Sequence, residues 1–409
     1  MHRHICVRLL TPTSAKPGAA PVRWYRAMPY NGGMHVVVAP DKLKGSLTAE
    51  QAAAAIEAGL RRVVPDLDVR RCPVADGGDG TVAAAVSRGW QPRTATVSGP
   101  FGDPVPATWA QQGGTALVEL AEASGLRQAG GRRDAQRATS RGTGELVRAA
   151  LDAGCEEVVI GLGGSACTDG GSGMLRALGA RVVDADGKLL PDGGGPLAGV
   201  AEVDLSGLDP RLASTRVVVA TDVDVPLLGP SGAAQSFGPQ KGATPDDVVQ
   251  LEAALGRWAE VTALACGLDP VEATGRPGAG AAGGVGFAAL AVLGAQRRSG
   301  VEEVLELVGF HELVRGAALV VTAEGSLDEQ SLHGKAPVGV ASAAARAGVP
   351  VVAVVGRCAL SAEQSRAAGL NEVRALGDAG TDTATLMAQA GPLVEQAAEE
   401  LGRRWLRGD

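Results

Sequence analysis

Apolar positions along this chain follow two periods. Five short β-branched runs are apolar at nearly every position, and each ends in a polar or glycine-rich loop. They are His35-Val-Val-Val-Ala39 before Pro40-Asp41, Val158-Val-Ile-Gly161 before the loop at Gly163, and Val217-Val-Val-Ala220 before Thr221-Asp222. Leu319-Val-Val-Thr322 before Ala323-Glu324 and residues 349–355 before Gly356 complete the set. Continuous apolar runs between helical segments mark strands buried on both faces of a parallel sheet. Helical spacing fills the intervals. Thr48-Ala-Glu-Gln51 is a capping box that opens a helix with apolar Ala52, Ala55, Ile56, Leu60 and Val63. Further helices are predicted over 142–153, 245–264, 283–293, 336–347 and 383–406.

Residues 94–97, 106–109 and 116–119 differ. They are short strand-like stretches separated by Gly-Pro turns, the pattern of antiparallel strands. The α/β pattern then returns between 319 and 355. The economical arrangement is an α/β fold of two α/β domains, a parallel-sheet domain with a second α/β domain inserted in it. The first domain is expected over 34–85 and 285–409, and the inserted one over 86–284. Ligands of such sheets bind beyond the carboxyl ends of the strands, which places the site in the cleft between the domains. Residues 1–33, rich in Arg, Pro and His without periodicity, read as a disordered extension. They carry no apolar stretch of secretory type, and Met28 and Met34 are alternative starts.

Composition narrows the function. A length of 409 residues suits two or three domains. A net charge of −7 argues against a nucleic-acid partner, whose footprint is a basic face. The uncharged run 277–295 is too rich in glycine and alanine to span a membrane. Six cysteines without metal-binding spacing read as core residues of a cytoplasmic protein, and a monomer or homodimer is expected. Glycine is abundant, at 59 residues, and unevenly placed, which points to loops defined by their backbone. Only six of the 38 basic residues are lysines, and four of them, Lys42, Lys44, Lys241 and Lys335, lie in glycine-rich loops. A lysine is a mobile point charge, able to follow a phosphoryl group between two oxygens as a planar guanidinium is not.

The loops carry the chemistry. Asp76-Gly77-Gly78-Asp79-Gly80 sets two carboxylates around paired glycines before a helix. Gly161-Leu-Gly-Gly-Ser-Ala-Cys-Thr-Asp-Gly-Gly171 follows a strand and offers N–H donors around Gly163, Gly164 and Ser165, with one acid, Asp169. Gly278-Ala-Gly-Ala-Ala-Gly283 matches a dinucleotide fingerprint but follows no strand; it could serve phosphate through Gly280, Gly283 and Gly284, or pack helices closely. Thr221-Asp222-Val-Asp224 and Glu324-Gly-Ser-Leu-Asp328 put acids just past strand ends, where they could hold Mg²⁺ or cap a helix. His311 and His333 are too isolated for a metal site. Anion-ready loops, mobile lysines and scattered acids, without a catalytic His or Cys arrangement, fit phosphoryl transfer.

At these residues the chain resembles the glycerate kinase family of the two-domain type, which lacks a P-loop. The likeness is carried by Ala39-Pro-Asp-Lys-Leu-Lys-Gly-Ser46, Ala75-Asp-Gly-Gly-Asp-Gly-Thr81, Gly142-Thr-Gly-Glu145, Gly161-Leu-Gly-Gly-Ser-Ala166 and Asp169-Gly-Gly171. It continues through Asp222-Val-Asp224, Phe237-Gly-Pro-Gln-Lys-Gly242, Pro277-Gly-Ala-Gly-Ala-Ala-Gly-Gly284, Glu324-Gly-Ser-Leu-Asp328 and His333-Gly-Lys-Ala-Pro337. The resemblance implies a flavodoxin- or Rossmann-like first domain. It also implies ATP- and Mg²⁺-dependent phosphorylation of D-glycerate, to 2-phosphoglycerate more than 3-phosphoglycerate. Another small hydroxy acid as acceptor, or a non-catalytic hydroxy-acid sensor, are the alternatives. Lys44, Asp76, Asp169 and Lys241 are the expected catalytic residues, with Asp76 or Asp169 acting on the attacking hydroxyl. Asp41, Ser46, Gly77, Gly78, Gly163, Gly164, Ser165, Gly280, Gly283, Gly284, Ser326 and Lys335 are expected around substrate and phosphate. Asp222, Asp224, Glu324 and Asp328 are the candidate metal ligands. Val225 stands where the family more often has Asn.

Overall fold

The computed structural model describes residues 34–377 and 381–407, so the expected extension at 1–33 lies outside the described residues. The chain opens one sheet with β1 (His35–Val38) and β2 (Asp68–Arg71). It then leaves to build a second from β3 (Gln91–Ser98), β4 (Pro104–Gln112), β5 (Thr115–Glu119) and β6 (Glu157–Gly161). A small hairpin, β7 (Arg181–Val183) with β8 (Glu202–Asp204), precedes β9 (Arg216–Ala220) and β10 (Gln296–Arg298), which finish the second sheet. The chain returns to the first sheet with β11 (Ala317–Leu327), β12 (Val351–Cys358) and β13 (Glu372–Ala375).

The first sheet has the order β13-β12-β11-β1-β2, with every neighbouring pair parallel. The second has the order β10-β9-β6-β5-β4-β3. Its β3, β4 and β5 pair antiparallel, as their turn-separated pattern predicts, and the rest pair parallel.

The apolar runs are explained by burial on both faces. Side chains alternate across a strand. Val36 and Val38 therefore pack with Ile56, Leu60, Val394 and Leu401, from the helices Ala49–Val63 and Ala390–Gly402. Val37 and Ala39 face the other way, into Val304, Leu305, Val340 and Ala344 of the helices Gly300–Leu307 and Ala336–Arg346. Each fully buried valine is worth about 1.5–3 kcal/mol, so both layers stabilise one central strand. The expected capping box is present: Thr48 Oγ1 accepts from Gln51 N, and Gln51 Oε1 accepts from Thr48 N.

Three expectations are corrected. Strand β11 runs to Leu327, paired with β12 as far as Cys358, so Glu324 lies inside a strand rather than past its end. The segment expected as a helix from 283 begins with Ala282, Gly283 and Gly284 at φ of 54°, 68° and 94°, and regular helix starts only after them. The stretch 383–406 divides into Thr383–Ala388 and Ala390–Gly402. Pro392 has no N–H to continue the first helix, and it suits the opening turn of the second.

Candidate active site

The carboxyl ends of β1, β11 and β12 form the floor of a cavity of about 410 Å³. After β1 the chain folds over these ends in a tight loop. Leu43 N donates to Leu47 O at 2.9 Å, while Ser46 N and Oγ both reach Leu43 O, at 2.9 and 3.0 Å. Gly45 sits in this loop at φ +83°, a conformation that disfavours any Cβ. The loop lies so close to the strand ends that a Cβ at Gly325 would stand 3.2 Å from Lys44 N. One at Gly356 would collide with Gly325 O. Sequence reasoning missed Gly325, Gly356 and Arg357 in the cavity wall. Gly356 directly after an apolar run, and Gly325 one acid beyond another, were the available signal.

The second side of the cavity is the Asp76 turn. Asp76 Oδ1 accepts from Gly78 N at 3.2 Å. Gly77 and Gly78 are wedged against the second sheet: a Cβ at Gly163 would collide with Gly78 Cα, and one at Gly161 would stand 2.5 Å from Gly77 O. Glu119, at the end of β5, accepts from Gly80 N and Val82 N, both at 3.1 Å. Burial pushes its carboxyl up to about 7. The two sheets therefore meet backbone to backbone beside the cavity.

Within the cavity, charges of both signs face one another. Lys42 Nζ donates to Asp79 O at 2.6 Å and lies 3.5 Å from Asp41 Oδ1. Lys335 Nζ lies 3.4 Å from Glu324 Oε1 and 3.5 Å from Asp328 Oδ1. Lys44, exposed, also lines the wall. Burial pushes the Asp41 carboxyl up to about 6; Lys42 opposes this and the Asp76 charge adds to it. Burial pushes Glu324 up to about 7, with Lys335 opposing and Asp41 and Asp76 adding. Burial works against the Lys42 charge, but Asp41, Asp76, Asp79 and Glu119 outweigh it and raise its pKa. The negative charge of Asp76 thus adds to the upward shift of both Asp41 and Glu324, and like charges gathered in a half-buried site favour a bound cation.

Of the residues expected from sequence, Asp41, Lys44, Ser46, Asp76, Glu324, Ser326 and Lys335 line this cavity. Gly77 and Gly78 form the adjoining turn, and Asp328 touches it through Lys335. Others lie elsewhere. Asp169 is fully buried and accepts from Ser140 N and Oγ, Thr139 Oγ1, Gly171 N and Gly173 N, at 2.8–3.3 Å. Lys241 is 1% exposed, with its Nζ donating to Cys167 O at 2.5 Å, and burial lowers its pKa. Gly280, Gly283 and Gly284 press on Pro226, Cys167 and Gly170, the close-packing role rather than an open phosphate cradle. Gly164 is exposed and Ser165 buried, on the second-sheet side. Asp222 is committed to a helix start, accepting from Ser299 Oγ, Gly300 N and Val301 N at 2.7–3.1 Å. Asp224 pairs with Arg297.

A family model described as the glycerate kinase family matches residues 36–406. The chain belongs to the glycerate kinase family. Among relatives in that family, glycerate 2-kinase of Escherichia coli (strain K12) is 46% identical over 328 residues, 79% of this chain and 85% of that protein. Glycerate kinase of Halalkalibacterium halodurans is 42% identical over 370 residues, 90% of this chain and 97% of its own. A crystal structure of a "putative glycerate kinase 2" from Salmonella typhimurium LT2 superposes with a TM-score of 0.79 at 42% identity, covering 92% of this chain and 99% of that one. This member of the family is thus a kinase of α/β fold. Among the described residues no helix is long and apolar enough to cross a membrane.

Proposed function

We propose that the chain transfers the γ-phosphoryl group of ATP to a hydroxyl of D-glycerate, giving 2-phosphoglycerate rather than 3-phosphoglycerate. The observation that carries this reading is that one cavity gathers Lys42, Lys44 and Lys335 with Asp41, Asp76 and Glu324. Its relatives at 46% identity include proteins named glycerate kinase and glycerate 2-kinase. Phosphoryl transfer needs mobile positive charge along the path of the phosphoryl group, and the lysines supply it. Glu324, with a pKa near neutrality, is matched to taking the proton of an attacking hydroxyl.

The donor set also fits Mg²⁺. Among the described residues no three His, Cys, Asp or Glu side chains gather closely enough to hold a metal by themselves. That suits an ion bound by one or two carboxylates and completed by phosphate oxygens and water. Asp41 and Asp76 are the side chains that would hold it, since the oxygens of Asp222 are taken up by a helix start. Bound there, the ion would neutralise charge on the phosphates. Asp169 and Lys241 are assigned a supporting role, holding the 167–173 loop in shape.

The two sheets are proposed as two domains, the second inserted in the first, with the seam at the Asp76 turn. The test is ATP consumption with D-glycerate against L-glycerate and longer sugar acids. Phosphorus-31 coupling in the product then separates the secondary ester from the primary one. Absence of Mg²⁺-dependent turnover on any of these acids would sink the kinase reading.

A further inference from the structure

The cavity is not polar throughout. Away from the lysines its wall is Leu43, Leu376, Leu386, Met387 and Ala390. Four of these come from the segment after β13, including the short helix Thr383–Ala388 and the start of Ala390–Gly402. Met387 stands out as a large apolar side chain left 39% exposed. Its Cε lies over the Gly45 backbone, so closely that a Cβ on Gly45 would collide with it. The helix it belongs to is tied back to the sheet by Arg357, which donates to Thr381 O at 2.7 Å and to Thr383 Oγ1 at 2.8 Å. The loop that carries Lys42 and Lys44 thus has charge on one side and an apolar strip on the other.

Glycerate cannot use that strip. It is a three-carbon acid with two hydroxyls and a carboxylate, and it has almost no apolar surface to bury. A nucleotide has both halves: a polyanionic tail that suits the lysines, and a planar base whose faces gain by leaving water. We infer that the strip Leu43–Leu376–Leu386–Met387–Ala390 is the subsite for the purine base of the phosphoryl donor, with Met387 as the side chain that covers the ring.

This inference rests on the kinase reading above but not on the identity of the acceptor. On this geometry the tail runs from the strip toward Lys44 and Lys335, and the acceptor lies on the Asp76 side, next to the second sheet. Glycine at position 45 is then required twice, for its left-handed backbone and for the room that Met387 and the base need above it.

The test is calorimetric titration of the full chain and of Met387→Ala and Met387→Leu with two probes, ADP and inorganic tripolyphosphate. Met387 is partly exposed, so both variants are expected to keep the wild-type melting temperature. ADP affinity is expected to fall about tenfold in Met387→Ala and to recover in Met387→Leu, from the worth of one buried apolar side chain. Tripolyphosphate, which has no base, is expected to bind all three proteins alike. Unchanged ADP affinity in Met387→Ala overturns the assignment. So does an equal loss for both probes, or a wild-type chain that does not bind ADP. ADP binding of the expected pattern without turnover of glycerate would count against the acceptor and leave the subsite standing.

Discussion

Two regions of this molecule read alike in sequence and differ completely in space. One is the loop set around Lys44, Asp76 and Lys335, past the ends of β1, β11 and β12. The other is the 163–171 loop after β6, with Asp169 and Lys241. Both combine glycines, an acid and a lysine after a buried strand. In the first the lysines line a cavity of about 410 Å³, together with Asp41 and Glu324, whose carboxyls burial pushes up to about 6 and about 7. In the second, Gly170 and Gly171 lie against Trp258 and Ala288. Gly283 presses on Cys167, Asp169 accepts from five donor groups, and Lys241 ends on a main-chain carbonyl. A glycine-rich loop states that something approaches the backbone closely. It does not state whether that something is a substrate or the rest of the fold.

The comparison can be broken from either side. Glu324→Gln is expected to lower kcat/KM with glycerate about 100- to 10,000-fold by removing the proton acceptor. The same variant should gain stability at high pH. The folded carboxyl is raised to about 7 from an ordinary value of 4.5, so the fold holds more protons than the unfolded chain between those values. The wild type therefore loses stability as pH rises through about 7. Glu324→Gln escapes this loss, by on the order of 3 kcal/mol at pH 8 and by less than about 1 kcal/mol at pH 5. Thermal melts at the two pH values check the sign, and a variant less stable at pH 8 would show that Lys335 dominates. In the sealed region the large effect is on folding. Asp169→Ala leaves buried N–H and O–H donors without an acceptor, and is expected to lose about 3–5 kcal/mol in urea unfolding. A soluble Asp169→Ala with unchanged stability and no turnover would move Asp169 into the chemistry.

The same contrast explains what was legible in the sequence. Strands buried on both faces announce themselves, and β1, β6, β9, β11 and β12 were all visible as apolar runs. Strands β2, β10 and β13 were not. They are edge or near-surface strands such as Asp68-Val-Arg-Arg71 and Gln296-Arg-Arg298, whose exposed charges guard the sheet edge and erase the apolar pattern. At the site, Lys44, Asp76, Glu324 and Lys335 were found because lysine is rare here and acids close behind apolar runs are informative. Arg357 was hidden among many arginines, and the Met387 strip by its distance in sequence from every loop that carries charge. Lys44 tests whether the lysine bias has meaning. Lys44→Arg keeps the charge but replaces a mobile ammonium with a planar fork, and a loss of about 10- to 100-fold in turnover at an unchanged melting temperature is expected. Full activity would reduce the bias to composition.

The smallest expected effect is the sharpest discriminator. Lys241→Met keeps the length and most of the volume of the buried side chain. It removes the hydrogen bond to Cys167 O, at about 1–3 kcal/mol for an acceptor left unfilled. It also removes a desolvated ammonium, whose pKa burial already lowers, and that relief offsets the loss. Stability is therefore expected to stay within about 1 kcal/mol of wild type, and kcat/KM for both substrates within about threefold, because nothing in the cavity touches Lys241. The outcome that would undo the comparison is specific: turnover lost by orders of magnitude while the melting temperature and ADP affinity hold. A lysine that folding can spare and chemistry cannot would have to reach the transferring group. The 163–171 loop would then open during turnover, and the two regions would be halves of one site rather than a cavity and its support.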